Sequence, residues 1–184
     1  SLYGFNTDGF GFLENLKAGC ATFDPTQGPA VVLGAGGAAR AVIAALLDAG
    51  APEVRILNRT RERAEDLAEN FKGLDLGSIF VGDWQRRGDF LHDATLLANT
   101  TTLGMKGQRP LDLDLTALPN TALVNDIVYV PLQTDLLARA EARGNPVVDG
   151  LGMLLHQARP GFAAWFGRLP EVTDALRGHV LDGV

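Results

Sequence analysis

Residues 30–39 read Ala30-Val31-Val32-Leu33-Gly34-Ala35-Gly36-Gly37-Ala38-Ala39, a short apolar run that breaks into glycine and then into a helical pattern. That order of residues predicts a strand, a tight turn and a helix start. Gly34 can take a turn conformation other residues resist, Gly36 lets a phosphate approach the backbone, and small Ala39 allows the helix to pack closely on the strand. The free amides of the new helix then face the anion. A turn of small residues joining strand to helix would need no ligand, so the flanking sequence has to separate the two readings.

The flanks supply the context. Residues 38–49 are apolar nearly all round, which predicts a buried helix, and Gly50 with Pro52 ends it. Glu53 to Leu57 has the aliphatic content of a second strand, so strand, glycine turn, helix and strand fall within about 30 residues, as a dinucleotide-binding unit requires. An enzyme that prefers NAD places Asp or Glu at the end of that second strand, on the ribose 2′-hydroxyl, whereas NADP calls for cations there. This chain reads Asn58-Arg59-Thr60-Arg61-Glu62-Arg63. With Thr60 as the expected cap of a helix carrying Ala64, Leu67, Ala68 and Phe71, the guanidinium groups of Arg59 to Arg63 cluster at the positive end of the helix dipole. Three solvated arginines screened by Glu62 and Glu65 would explain the cluster without a ligand. An adenosine 2′-phosphate explains it better, with Arg59 also able to lie flat on adenine.

The pattern continues with strands expected at 78–81, 95–98, 122–125 and 146–148, a polar stretch at 83–93 and a helix at 131–143 closed by Gly144. Six strands separated mostly by helices predict an α/β fold, a Rossmann-like doubly wound six-stranded parallel sheet whose ligands gather at the carboxyl ends of the strands. The loops leaving those ends, at 99–105, 126–129 and 149–150, are candidate cofactor walls. Ahead of the sheet, Asn6 or Thr7 caps a predicted helix that ends at Gly19, and Asp8 falls in its first turn, where interaction with the helix dipole alone would account for it. Residues 20–29 read as a loop. Beyond the sheet, residues 151–166 form a helix rich in Leu, Met, Phe and Trp, and 169–184 a further helix; His156 reads as a surface or hydrogen-bonded side chain. The expected organisation is therefore a connecting helix at 1–19, a nucleotide domain at 20–150 and terminal helices at 151–184.

Composition excludes several classes. Acidic residues outnumber basic ones 22 to 16, for a net charge of −6, which argues against a nucleic-acid partner. Cys20 is the only cysteine, so an intrachain disulfide or cysteine metal cluster is impossible, and a reducing compartment, the cytoplasm, is expected. With 3 histidines, a histidine metal site is improbable as well. The longest apolar run, 41–47, is far short of the ~20 residues that cross a bilayer. H-E-x-x-H, G-x-S-x-G and G-K-S/T are missing from the sequence. The chain opens at Ser1, without Met, in a hydrophobic and glycine-rich segment, which reads as a fragment whose natural beginning is missing.

Several separated stretches together resemble the shikimate dehydrogenase family. They are Asn6-Thr7-Asp8-Gly9 with Gly11, the turn from Gly34 to Ala41, Asn58-Arg59-Thr60, Asn99-Thr100-Thr101 through Gly104-Met105, Asp126 to Tyr129 with Pro131, and Asp149-Gly150-Leu151-Gly152-Met153-Leu154 through Gln157-Ala158. The resemblance implies NADP-dependent, reversible reduction of 3-dehydroshikimate to shikimate in aromatic amino-acid biosynthesis. It also implies an amino-terminal substrate domain that this chain lacks, with catalysis in the cleft between the two. Asp8 matches the family's catalytic aspartate, while Tyr129 and Gln157 match substrate-binding residues. Gly34, Ala35, Gly36, Gly37, Ala38, Asn58, Arg59, Thr60, Arg63, Ile127 and Gly150 match cofactor contacts. The family's acid/base lysine lies in the substrate domain, and Lys17, Lys72 and Lys106 do not match it. The isolated chain is thus expected to bind NADPH without turning over dehydroshikimate. Two other readings stay open: a quinate/shikimate enzyme using NAD, and a non-catalytic NADP-binding sensor that kept the fold and lost the reaction. Oligomeric state is not encoded in any of these patterns.

Overall fold

The structure, a computed structural model, describes residues 4–183. Six strands form one parallel sheet in the order β3-β2-β1-β4-β5-β6, with β1 at Ala30–Leu33, β2 at Glu53–Leu57, β3 at Ser78–Gly82, β4 at Leu96–Asn99, β5 at Leu123–Asp126 and β6 at Val147–Val148. The order reverses direction at β1, and the gap between β1 and β4 opens a crevice at their carboxyl ends. In register, Leu33 pairs with Leu57 on one side and Asn99 on the other. The fourth, fifth and sixth strands each begin one residue later than the sequence pattern suggests.

Alternation along β1 divides the core between two faces. Ala30 and Val32 join Val54, Ile56, Leu96 and Ala98 on one face, under α1 (Asp8–Gly19), α2 (Gly37–Asp48), α3 (Arg61–Glu69) and the start of α5 (Leu151–Phe166). Val31 and Leu33 join Leu57, Leu97 and Val124 on the other, under α4 (Asp135–Ala142) and the β4–β5 connection. That connection contains no helix. It carries Leu111, Leu113 and Leu115, alternate residues that are buried while Asp112 and Asp114 between them are exposed. Period-two burial needs an extended chain rather than a helix. Arg139 of α4 clamps the segment by donating to the Leu113 and Leu111 carbonyls at 2.7 and 2.8 Å. The polar stretch after β3 is a run of 3-10 turns, Trp84–Leu91.

Helix ends depart from the sequence reading in several places. Thr7 and Thr60 occupy the cap positions of α1 and α3 but make no side-chain cap bond. Asn6 instead accepts the Asp8 amide at 2.8 Å, and Asn58 donates to the Thr60 carbonyl at 2.7 Å. The helix expected over 131–143 begins only at Asp135, where Thr134 caps it by accepting from the Leu137 amide. The last helix, α6 (Asp174–Leu181), is likewise shorter than 169–184, since Thr173 caps it; Val184 and residues 1–3 lie outside the described residues. α2 is buried on one face only: Arg40 and Asp48 are exposed and Ala44 and Ala45 half-buried. None of the helices described is long and apolar enough to cross a membrane.

α1 lies between α2 and α5, and glycine makes that position possible. A Cβ on Gly9 would sit 2.9 Å from the Ala41 carbonyl oxygen, and one on Gly11 would sit 2.7 Å from the Gln157 nitrogen and the Met153 oxygen. Gly152 of α5 leaves equally little room beside Asn15. Asn15, buried, donates to the Asp149 carbonyl at 2.7 Å. Arg159 extends the junction, reaching Glu14 at 3.0 Å, His156 Nδ1 at 3.0 Å and the Pro170 carbonyl at 2.7 Å.

Candidate active-site cleft

At the turn after β1, Gly34 has φ of 112°, the left-handed region that a side chain resists. A Cβ there would also sit 2.7 Å from the Thr100 hydroxyl, which donates to the Leu33 carbonyl at 2.6 Å and ties the ends of β1 and β4 together. Gly36 and Gly37 have open space where a side chain would project. α2 starts at Gly37 with no side-chain cap. Its first amides are therefore free for an anion, so this turn fits the phosphates of a dinucleotide.

Three cavities follow one another along the carboxyl edge of the sheet. The central one, about 410 Å³, lies between Gly36 to Ala38 and the segments Thr100 to Thr102 and Ile127 to Val130, and Met105 closes it. On the β2 side it shares Thr101 and Thr102 with a cavity of about 440 Å³ that also takes in Asn58, Arg59, Trp84 and Arg109. Toward β6 it shares Ala38, Ile127 and Tyr129 with a cavity of about 230 Å³ lined by Asp8, Gly150, Met153, Leu154 and Gln157. The cleft thus runs from cationic, through largely apolar, to a small polar end. A further groove of about 560 Å³ separates α1 from α2 and holds none of Asp8, Tyr129 or Gln157.

The small polar end unites three side chains from distant parts of the chain. Asp8 comes from the first turn of α1, Tyr129 from the loop after β5 and Gln157 from the second turn of α5. None of the three side chains has a hydrogen-bond or ion-pair partner among the described residues. Gly150 brings the β6 loop against the β5 loop, where a Cβ would collide with the Ile127 carbonyl oxygen. Of the remaining residues singled out from sequence, Gly34 and Ala35 form the turn itself, while Thr60 and Arg63 are exposed at the start of α3 and line none of the three cavities. Lys17 pairs with Glu14 and Lys72 with Glu69, and among the described residues no lysine lines the cleft.

A buried network holds the wall. Asn99 donates to Asp126 at 3.0 Å and to the Leu103 carbonyl at 3.1 Å, and its Oδ1 accepts from the Thr101 amide and hydroxyl. Asp126 also accepts from the Thr134 hydroxyl at 2.7 Å and the Val128 amide at 3.0 Å. Burial pushes the Asp126 carboxyl up to about 6, against the opposing pull of those hydrogen bonds. His156, buried under α1, is moved the other way, held below its ordinary value by burial and then by the Arg159 charge. Sequence reasoning missed Trp84 and Arg109. Trp84 was findable, since it stands two residues past the end of β3, at the ligand edge of the sheet; Arg109 has no local pattern that marks it.

Comparison with known proteins adds an independent line. A family profile described as shikimate/quinate 5-dehydrogenase matches residues 21–86. The NADP(+)-dependent shikimate dehydrogenase of Paramagnetospirillum magneticum is 64% identical over 98% of this chain and 64% of its own length. This chain therefore spans about 64% of the length of such relatives. Among solved structures, Thermus thermophilus shikimate 5-dehydrogenase in complex with NADP(H) and shikimate superposes with a TM-score of 0.82 at 39% identity, covering 98% of this chain and 63% of that one. Quinate dehydrogenase from Corynebacterium glutamicum in complex with NAD gives 0.87 at 29% identity, covering 97% and 63%.

Proposed function

We propose that this chain belongs to the shikimate dehydrogenase family and is the nucleotide-binding part of an NADP-dependent shikimate dehydrogenase, which reversibly reduces 3-dehydroshikimate to shikimate in the cytoplasm. The observation that carries the proposal is the meeting of Asp8, Tyr129 and Gln157, all unpartnered among the described residues, on a small cavity walled in common with the cradle of the glycine turn. A sensor of the cofactor alone has no use for that second cavity.

The glycine turn from Gly34 to Ala38 takes the pyrophosphate on the free amides of α2. Asn58, Arg59 and Thr60 hold the adenosine end, with Arg63 adding positive charge from the first turn of α3. Ile127 and Gly150 line the path to the substrate. When bound, NADPH supplies the hydride that reduces the substrate ketone. Asp8 accepts a hydrogen bond from a substrate hydroxyl, and Gln157 and Tyr129 orient the ring from the α5 and β5 sides. The oxygen being reduced also needs a proton, and the described residues offer no ammonium group in the cleft. We assign that donor to a lysine of a substrate domain, which would account for the rest of the relatives' length. On this reading, residues 1–19 connect the two domains, 20–150 bind the nucleotide, and 151–184 face the substrate domain.

The NAD-using quinate relative makes the coenzyme a point to test. At the end of β2 this chain offers Asn58 and Arg59 and no carboxylate to accept from a ribose 2′-hydroxyl, which favours NADP. The purified chain should bind NADPH saturably, read by nucleotide fluorescence, and should bind NADH more weakly. It should not oxidise NADPH when 3-dehydroshikimate is added. Measurable turnover by these 184 residues would overturn the assignment of the proton donor to a separate domain.

A further inference from the structure

We infer that Arg109, on the β4–β5 connection, is a second cation for the adenosine 2′-phosphate and contributes to the choice of NADP over NAD. The inference rests on the NADP reading above. Arg59 follows β2, and Arg109 belongs to the connection leaving β4, so the two arginines approach one cavity from strands that flank β1 on opposite sides. Among the described residues, no carboxylate lines that cavity. Several other surface arginines are engaged, Arg61 with Glu65 at 2.7 Å, Arg86 with Asp89 at 2.8 Å and Arg139 with Asp135 at 2.7 Å, whereas Arg63 and Arg168 are exposed and line none of the cleft's three cavities. The guanidinium groups of Arg59 and Arg109 have no hydrogen-bond or ion-pair partner among the described residues.

Two guanidinium groups without an anionic partner line this one cavity, and a compact dianion is the ligand that can engage both. A phosphate monoester carries about −1.5 to −2 charge at neutral pH and presents several acceptor oxygens, enough for both forks. The ribose 2′-hydroxyl of NAD offers neither. The chain that bears Arg109 is anchored, which lets its side chain act from a fixed base. The Arg109 carbonyl accepts from the Gly104 amide, the Met105 carbonyl from Gln108 and the Val130 carbonyl from Lys106, each at 2.8 Å. Gly104 and Gly107 supply the positive φ angles that this closed turn needs.

The test is a set of titrations of the 184-residue chain with NADPH, NADH and adenosine 2′,5′-bisphosphate, comparing the wild type with Arg109→Ala, Arg109→Lys and Arg59→Ala. Arg109→Ala should weaken NADPH and the bisphosphate by about 10- to 100-fold, the range of a lost charge-assisted hydrogen bond, with NADH changed less than about twofold. Arg109→Lys should recover part of the loss, since the charge returns without the fork. Because the side chain is exposed and unpartnered among the described residues, the unliganded variants should melt at the wild-type temperature. If Arg59→Ala weakens NADPH selectively while Arg109→Ala leaves it unchanged, or weakens NADPH and NADH equally, the Arg109 assignment is overturned and the NADP reading stands. If the wild type binds NADPH no more tightly than NADH, the NADP reading fails, and the assignment of Arg109 with it.

Discussion

Asp126 closes β5 with a buried carboxylate that three donors approach, and its environment has a consequence for stability. With its pKa raised to about 6 from 3.8, the native state keeps this proton over a range in which the unfolded chain has lost it. Asp126 is therefore neutral in both states below pH about 4. As pH rises toward 6 it progressively favours unfolding, by up to about 3 kcal/mol, since each pH unit between the folded and unfolded titration midpoints is worth about 1.4 kcal/mol. Above that range it changes nothing further. His156 acts in the opposite sense, because a lowered histidine pKa contributes stability above about 6.5 that is lost as pH falls. Comparing wild type with Asp126→Asn cancels the histidine contribution. Urea titrations between pH 4 and 7 should show the variant gaining on the wild type as pH rises; parallel curves would refute the buried-proton account. Little of this was legible in sequence. Asn99 and Asp126 sit in stretches that read as loops leaving the strand ends, but they are the final ladder residues of β4 and β5, and their pairing follows from a register that no local pattern reveals.

At the level of elements, the segments easiest to read were those with an unbroken period. β1, α2 and β2 follow directly from the apolar run, the glycine turn and the stop at Gly50. The Leu111 to Leu115 stretch has a period of two and no helical stripe, yet lies between parallel strands where a helix is the usual crossover, so its alternation was easily passed over. The polar cavity is legible only through its parts. Asp8 stands on α1, ahead of the first strand, and Gln157 on α5, after the last strand, and what joins them is the close approach of these two helices. Gly11 on α1 and Gly152 on α5 are the residues that permit this approach. Gly11→Ala gains helix propensity but drives a methyl group into the Gln157 nitrogen and the Met153 oxygen. It should destabilise the protein by about 1–3 kcal/mol. Thermal denaturation checks the magnitude, and a gain in stability would mean that α1 can stand further from α5 than described.

For the molecule as a whole, the sheet order places the cationic, apolar and polar cavities in one line, and a single doubly wound sheet is enough to separate the two ends of a dinucleotide. The helix that completes the polar end comes from the opposite end of the chain. Asn15 bonds to Asp149 across 134 positions and Glu14 to Arg159 across 145, whereas β1, α2 and β2 adjoin in sequence. Contacts that close such long loops lose their entropy before they return any energy, so they form late. The polar cavity should then be the last part of the molecule to assemble in folding and the first to open. Leu16, fully buried on α1, reports on this: Leu16→Ala should cost about 2–5 kcal/mol, felt almost wholly as faster unfolding with the refolding rate nearly unchanged. Refolding that slows in step with the lost stability would place α1 in the nucleus instead. The cofactor cradle, built from neighbours in sequence, can stand before the place where a substrate would bind exists at all.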